Sequence, residues 1–386
     1  MFTKIITSVA LAAMCMSCSP KYVKPASGDD VQNSAEANVE FALDFFKKTN
    51  QTVSSKENLV VSPYSAGVAL SMLEEGAEGQ TKAEFDNALK GCLYPAADLG
   101  GSKTLTVKSA NSVWISDNFS VRNRYVNLLE KDYDAFVNTE NFADPVTVHA
   151  INNWCSENTA GKITEIIDEL SPNDVMVLIN ALYFNAPWAE EFDEKGTVDG
   201  VFHALGGDKT VKMMYNMAKY EYAEYQGCQM IRLPYQGERY AMYIVLPPAG
   251  QSIDSMLPFV NAATFESAMD LLSMQEVAFR MPKFRLETSL VLDKALQKMG
   301  IQTAYSSAAD FSGISESGPL ALGTVKQKCF IDVTEKGTEA AAVTSAQIRL
   351  TSVARTTRMT VDRPFLFFIS DSQTSNILFI GKVVNL

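Results

Sequence analysis

Hydrolysis, metal binding and phosphate binding each demand particular residue types, and this chain of 386 residues can be held against each demand. It has 2 histidines, His149 and His203. A Ser-His-Asp hydrolase on an α/β scaffold sets its serine in a G-x-S-x-G elbow, where a histidine can take the hydroxyl proton. No such elbow occurs, and neither histidine stands beside a nucleophile motif. His149 opens a helical segment and His203 follows VDGVF, so both read as surface or capping residues. Structural zinc needs a compact set of His, Cys or carboxylate ligands. The cysteines, Cys15, Cys18, Cys92, Cys155, Cys228 and Cys329, are scattered without a CxxC pair, which suits buried free thiols better than a metal site or disulfide framework. GAEGQT at 76–81 lacks the lysine and spacing of a phosphate loop. No catalytic residue, metal or cofactor is expected.

A different chemistry is written at 335–358, EKGTEAAAVTSAQIRLTSVARTTR. A connection of about 24 residues between two strands is usually functional or disordered. Alternate residues from Thr338 (Thr338, Ala340, Ala342, Thr344, Ala346, Ile348, Leu350) carry no charge, whereas Glu339, Ala341, Val343, Ser345, Gln347, Arg349 and Thr351 carry every charge of that stretch. That is a one-sided strand, apolar inward and polar outward. A run of small residues from Gly337 is also easily extended, so the segment suits two states, exposed loop and inserted strand. An Ala-rich helix of weak amphipathicity followed by a loop fits the same residues, and the pattern alone leaves both open.

Those residues need elements to hold them. With 33 Lys+Arg against 45 Asp+Glu the net charge is −12, which argues against a nucleic-acid binder, since neutralising phosphates takes a concentrated basic face. Hydrophobic residues at 47% allow a large core. Apolar spacing predicts helices over 35–48, from Pro63 to Leu73, from Thr81 to Leu89, and over 147–168, 254–272 and 288–299. Strands are expected over 105–115, 175–185, 240–247, 277–285, 320–334, 357–370 and 376–384. VMVLINALYF at 175–184 is nearly continuous apolar sequence and should be central in a large sheet. No interior linker or repeat divides these parts, so one α+β domain is expected over 34–386. Residues 1–17 have the charged start, apolar run and small residues of a secretory signal. Residues 18–33, with Pro, Ser, Gly and charge, read as a tether.

Two resemblances follow. Ser17-Cys18-Ser19-Pro20 resembles the lipobox of bacterial lipoproteins, with Cys18 as the lipidated residue, although Cys15 stands where Leu is usual. Glu335-Lys336-Gly337-Thr338-Glu339-Ala340-Ala341-Ala342-Val343-Thr344 resembles the hinge of inhibitory serpins. The likeness continues through NLVVSPYSAGVALSMLEEGAEGQT at 58–81, INNWCSENTAGKI at 151–163, VLINALYFNAPW at 177–188, MPKFRLETSLVLDKALQKMGI at 281–301, ADFSGI at 309–314, DRPFLFFI at 362–369 and FIGKVVNL at 379–386, so it covers essentially everything after residue 33.

The resemblance implies an α+β serpin fold, a single large domain of about nine helices packed on three β-sheets with an exposed reactive loop at 335–358. It implies a suicide-substrate inhibitor: a serine or cysteine protease acylates in the loop, which then inserts into the central sheet and carries the trapped protease with it. At the family's usual hinge-to-bond length the scissile bond lies between Thr351 and Ser352, suiting an elastase-like enzyme, while Arg349 and Arg355 offer trypsin-like alternatives. From Ala340 to Val361 the charges are Arg349, Arg355 and Arg358, with no acid. Ser62, Ser65 and Asn180 match the family's polar cluster beneath the opening strands. Its fourth member is often His, and here is Gln327, which removes a titrating group. Trp188 and Lys283 match the site where the loop first enters, with Glu335 as a partner for Lys283. The rival reading is a non-inhibitory binding or chaperone-like protein on the same fold; it favours charged, bulky or Pro residues in the hinge, absent from this inward face. The expected molecule is a monomer, exported and held by its lipid in the bacterial envelope or otherwise secreted. No Lys/Arg cluster along the sequence points to a polyanion site.

Overall fold

The computed structural model describes residues 28–92, 94, 99–100, 105–171, 173–257, 260–317, 320–338 and 357–386. Its helices are α1 (Gly28–Asn50), α2 (Pro63–Glu74), α3 (Gly79–Ala88), α4 (Asn123–Asp132), α5 (Pro145–Asn158), α6 (Ile253–Met256), α7 (Ala262–Asp270) and α8 (Asp293–Lys298). The strands are β1 (Leu59–Val61), β2 (Thr106–Ser116), β3 (Ala135–Glu140), β4 (Met176–Pro187), β5 (Val198–Ala204), β6 (Gly207–Tyr225), β7 (Cys228–Pro234), β8 (Tyr240–Leu246), β9 (Ser273–Pro282), β10 (Phe284–Val291), β11 (Lys326–Thr334), β12 (Gly337–Thr338), β13 (Thr357–Thr360), β14 (Phe365–Asp371) and β15 (Ile377–Val383).

A six-stranded sheet has the order β10-β11-β12-β4-β2-β3, which puts the apolar 175–184 run in its interior as expected. The other strands form a nine-stranded sheet in which the 19 residues of β6 serve two groups. Its first part pairs with β5, its middle with β9, and its end, Glu221–Tyr225, with β7. The three expected sheets are therefore three pairing groups, two of which share β6.

Phe184 of β4 reaches across the core to Tyr240 and Phe379 of the other sheet, with ring centroids 5.7 and 6.5 Å apart. α2 threads this core almost wholly buried. It starts where it does because Pro63 occupies the first turn, where no amide partner is lost, and Ser62 Oγ accepts from the Ser65 amide at 3.1 Å. On the opposite face of the six-stranded sheet, α5 covers separate small clusters: Trp114, Ile151, Ile167 and Ile179, and then Cys155, Ile163 and Ala181.

Several expected boundaries move. α1 begins at Gly28, ahead of the helix start expected at 35. The helix expected to 168 stops at Asn158, where Ala160 and Gly161 take φ of 51° and 74°. The 288–299 helix loses its first part to β10.

Candidate functional site

β11 ends at Thr334, and Glu335-Lys336 turn the chain back so that β12 lies antiparallel between β11 and β4. Thr338 pairs with Val333 on one side and Ala186 on the other. Gly337 makes that turn possible: its φ is +147°, and a Cβ there would lie 2.2 Å from the Ala186 carbonyl oxygen. Thr338 is 2% exposed, and its Oγ1 lies 2.7 Å from Tyr235 Oη. Tyr235 stacks on Trp188 with centroids 4.5 Å apart and planes 11° from parallel.

The turn is clamped twice. Along the backbone, the Trp188 amide donates to the Lys336 carbonyl and the Phe192 amide to the Glu335 carbonyl, both at 2.9 Å, while Trp188 Nε1 donates to the Thr334 carbonyl at 2.9 Å. Through side chains, Glu335 Oε2 meets Lys283 Nζ at 2.8 Å and its Oε1 accepts from Thr197 Oγ1 at 2.8 Å. Burial would raise the Glu335 carboxyl pKa, but the Lys283 and Thr197 hydrogen bonds and the residue's own amide outweigh it and hold the pKa below the ordinary range. Lys336 faces Glu191 at 3.6 Å and Glu194 at 3.4 Å.

Beyond β12 the sheet is parted: among the described residues, β4 and β11 share no register of their own and join only through Gly337 and Thr338. A polar chain spans this division beneath the sheet. From β11, Gln327 grips Ser62 like a strand neighbour, Oε1 accepting from the Ser62 amide at 3.1 Å and Nε2 donating to its carbonyl at 2.9 Å. Ser65 Oγ then donates to the Asn180 carbonyl of β4 at 3.3 Å. Asn180 Nδ2 donates to Ser109 Oγ at 2.9 Å and to Asn111 Oδ1 in β2, and Asn111 Nδ2 donates to the Tyr133 carbonyl at 2.6 Å. The amino end of α2 is thus bonded to both sides of the parting.

The fold brings Glu335, Gly337, Thr338, Trp188 and Lys283 into one site and Ser62, Ser65, Asn180 and Gln327 into another. Glu339, Ala340, Ala341, Ala342, Thr344, Arg349, Thr351, Ser352 and Arg355 lie outside the described residues, as do the 1–17 segment and Cys18. The chain is described again at β13, which runs parallel to β9, with Gln229 Nε2 donating to the Arg358 carbonyl at 3.0 Å. Sequence reasoning missed Tyr235, Thr197, Phe192, Ser109 and Asn111; no local pattern marks them, because each acts on a residue distant in the chain.

His149 is exposed, and His203 lies on exposed surface with Nδ1 2.8 Å from Asp208 Oδ1. Burial pushes the Cys155 and Cys329 thiols up to about 12, away from reactive thiolate. No cluster of three or more His, Cys, Asp or Glu could hold a metal among the described residues.

Residues 36–386 match the family model described as Serpin (serine protease inhibitor). An uncharacterized serpin-like protein of Thermococcus kodakarensis is 33% identical over 362 residues, 89% of this chain and 84% of that protein. The leukocyte elastase inhibitor of Sus scrofa is 32% identical over 376 residues, 92% of this chain and 99% of its own. Among solved structures, the thermophilic serpin tengpin in the native state superposes with a TM-score of 0.86 at 29% identity, covering 95% of this chain and 97% of that one.

Proposed function

The chain belongs to the serpin family, and from that membership we propose that it inhibits proteases as a suicide substrate. A serine protease, elastase-like or trypsin-like, or a cysteine protease, attacks the loop at Thr351–Ser352, with Arg349 and Arg355 as secondary baits. The loop then enters between β4 and β11 before the acyl bond is hydrolysed. The observation that carries this reading is β12: Gly337 and Thr338 of the hinge already occupy that position, on a small uncharged face, while among the described residues β4 and β11 share no register of their own.

Magnitudes support it. About 14 inserted residues at ~3.3 Å each move the bait on the order of 45 Å. At ~1 kcal/mol per hydrogen bond, a strand laddered on both sides gains on the order of 10 kcal/mol, comparable with the ~5 to 15 kcal/mol that holds a protease folded. An acyl-enzyme turning over at ~10 per second survives ~0.1 s. Insertion must be faster, and small side chains with no inward charge favour speed.

The same reading includes a monomer that is exported by residues 1–17 and anchored to a membrane through lipid on Cys18, or otherwise secreted. Incubation with a protease panel tests the inhibitory reading. The expected result is a 1:1 complex stable in denaturant, with a released peptide beginning at Ser352. Proteases that all cut the loop and remain active would end it; a peptide beginning at Leu350 or Thr356 would move the bait to Arg349 or Arg355.

A further inference from the structure

Folding gathers three cations that no stretch of sequence displays as a cluster. Lys212 belongs to β6, Lys283 joins β9 to β10, and Arg285 is the second residue of β10. The Lys283 amide donates to the Lys212 carbonyl at 2.8 Å, so the two lysines stand on adjoining backbones. With Asn58, Phe284 and Leu386 among their neighbours, the three line an open cleft of about 590 Å³.

Their present partners leave all three with capacity. Lys212 meets Asp199 at 2.8 Å with both side chains 63% exposed, a pair that solvent weakens. Arg285 lies 4.8 Å over the Phe330 ring. Asp332 stands opposite Arg285 in register, yet no ion pair joins them. Lys283 donates to Glu335 while its side chain is 39% exposed, and an ammonium has three donors. No Asp or Glu is among the residues that line the cleft. On a chain of net charge −12 the cleft wall itself carries three cationic side chains, with their acids Asp199, Asp332 and Glu335 outside the lining, and a cleft concentrates such a field.

We propose that this cleft binds a small multivalent oxyanion, a phosphate ester or polycarboxylate, which competes with Glu335 for Lys283 and so loosens the turn at Glu335-Lys336. Arg285 supplies the planar fork that grips two oxygens, and the lysines supply point charges. The effect on inhibition rests on the hinge reading above, whereas binding and competition do not. Coupling is reciprocal, so if anion and carboxylate share Lys283, removing the carboxylate must tighten the anion.

The test is calorimetric titration of the full chain at fixed ionic strength with inorganic pyrophosphate and, separately, citrate, using acetate as the monovalent control. At least one multivalent probe should bind saturably with a 1:1 ratio. Losing one charge-assisted contact should weaken that binding about tenfold in Arg285→Gln and in Lys212→Gln. Lys90→Gln, whose lysine pairs with Glu40 elsewhere, should bind like the parent, and Glu335→Gln should bind more tightly. In the unaltered chain, the same probe should speed hydrogen exchange at the Trp188 and Phe192 amides, which hold the turn. No saturable binding, or equal weakening in Lys90→Gln, overturns the site. Unchanged affinity in Glu335→Gln together with unchanged exchange overturns the competition. No protease enters either measurement, so a failure of protease trapping is told apart from a failure here.

Discussion

Thr338 Oγ1 and Tyr235 Oη stand 2.7 Å apart although the residues are 103 positions apart in sequence. The hydroxyl bond fastens the innermost described hinge residue to a phenol that burial keeps neutral, since burial raises its pKa. The inward side of the hinge is therefore shaped for a small hydroxyl and offers no counter-ion.

Thr338→Arg would place a guanidinium in that position without a carboxylate, at a cost of roughly 3 to 5 kcal/mol. Entry should stall at its first step while the scissile bond is unchanged. A protease that the parent traps should then cut the variant at a similar rate and be recovered active. Glu339→Arg is the control, because the two-residue alternation turns it outward, and it should keep most inhibition. Equal loss in both variants, or none in either, would remove the basis for assigning faces.

Gly337→Ala tests the turn. Its Cβ would fall 2.2 Å from the Ala186 carbonyl oxygen at a backbone φ of +147°, so β12 must leave its position or distort, at a cost on the order of 1 to 3 kcal/mol. The expected signs are faster hydrogen exchange at the Trp188 and Phe192 amides and a lower melting temperature. Exchange as slow as in the parent would mean that the turn tolerates a side chain.

Glu335 gives the site a pH dependence whose sign is fixed. Its folded pKa lies below the ordinary value, so the unfolded chain binds the proton first as pH falls. The stabilisation is fully present above the unfolded pKa, about 4.3, and is lost as pH drops through the folded value. In urea titrations Glu335→Gln should be less stable than the parent by roughly 1 to 3 kcal/mol at pH 7. That gap should hold to about pH 5 and narrow in more acid solution. A gap that widens on acidification contradicts the ion pair.

Gln327→His replaces an amide that satisfies both backbone groups of Ser62. A neutral imidazole has its donor and acceptor on opposite sides of the ring, so one Ser62 group loses its partner, costing about 1 to 2 kcal/mol. Burial at this site disfavours imidazolium and lowers the folded pKa beneath the unfolded ~6.5. The variant should therefore lose further stability relative to the parent as pH falls from 7 towards 5, and a parallel pair of pH profiles would refute this account.

How far the sequence leads depends on the range of each interaction. The apolar run at 175–184 announced an interior strand, because burial on both faces leaves no polar alternation. Ser62-Pro63 announced the start of α2, since a cap and a first-turn proline act locally. The alternation from Thr338 is likewise local. β3, β5, β6 and β7 were not foreseen; the charged, half-exposed pattern of β6 reads as polar sequence until β9 and β7 are seen beside it. Tyr235 and Thr197 were invisible because they act on residues 103 and 138 positions away.

The last prediction concerns cutting the loop. β4 and β11 are joined by only two residues of β12 among the described positions, so a strand freed by cleavage at Thr351–Ser352 has a place to complete. Nicking an ordinary exposed loop changes little, because few contacts depend on its continuity. Completing a central strand instead adds on the order of 10 kcal/mol of hydrogen bonding. For a chain of this size each kcal/mol shifts the melting temperature by about 1 to 2 °C, so the cut protein should melt on the order of 10 °C higher or more. The rise should vanish in cut Thr338→Arg, whose arginine keeps the strand from entering, and persist in cut Glu339→Arg. Scanning calorimetry of the four intact and cut variants and of the parent separates insertion from a general effect of cleavage. A cut parent that melts at or below the intact one would mean that the parted strands do not receive the loop.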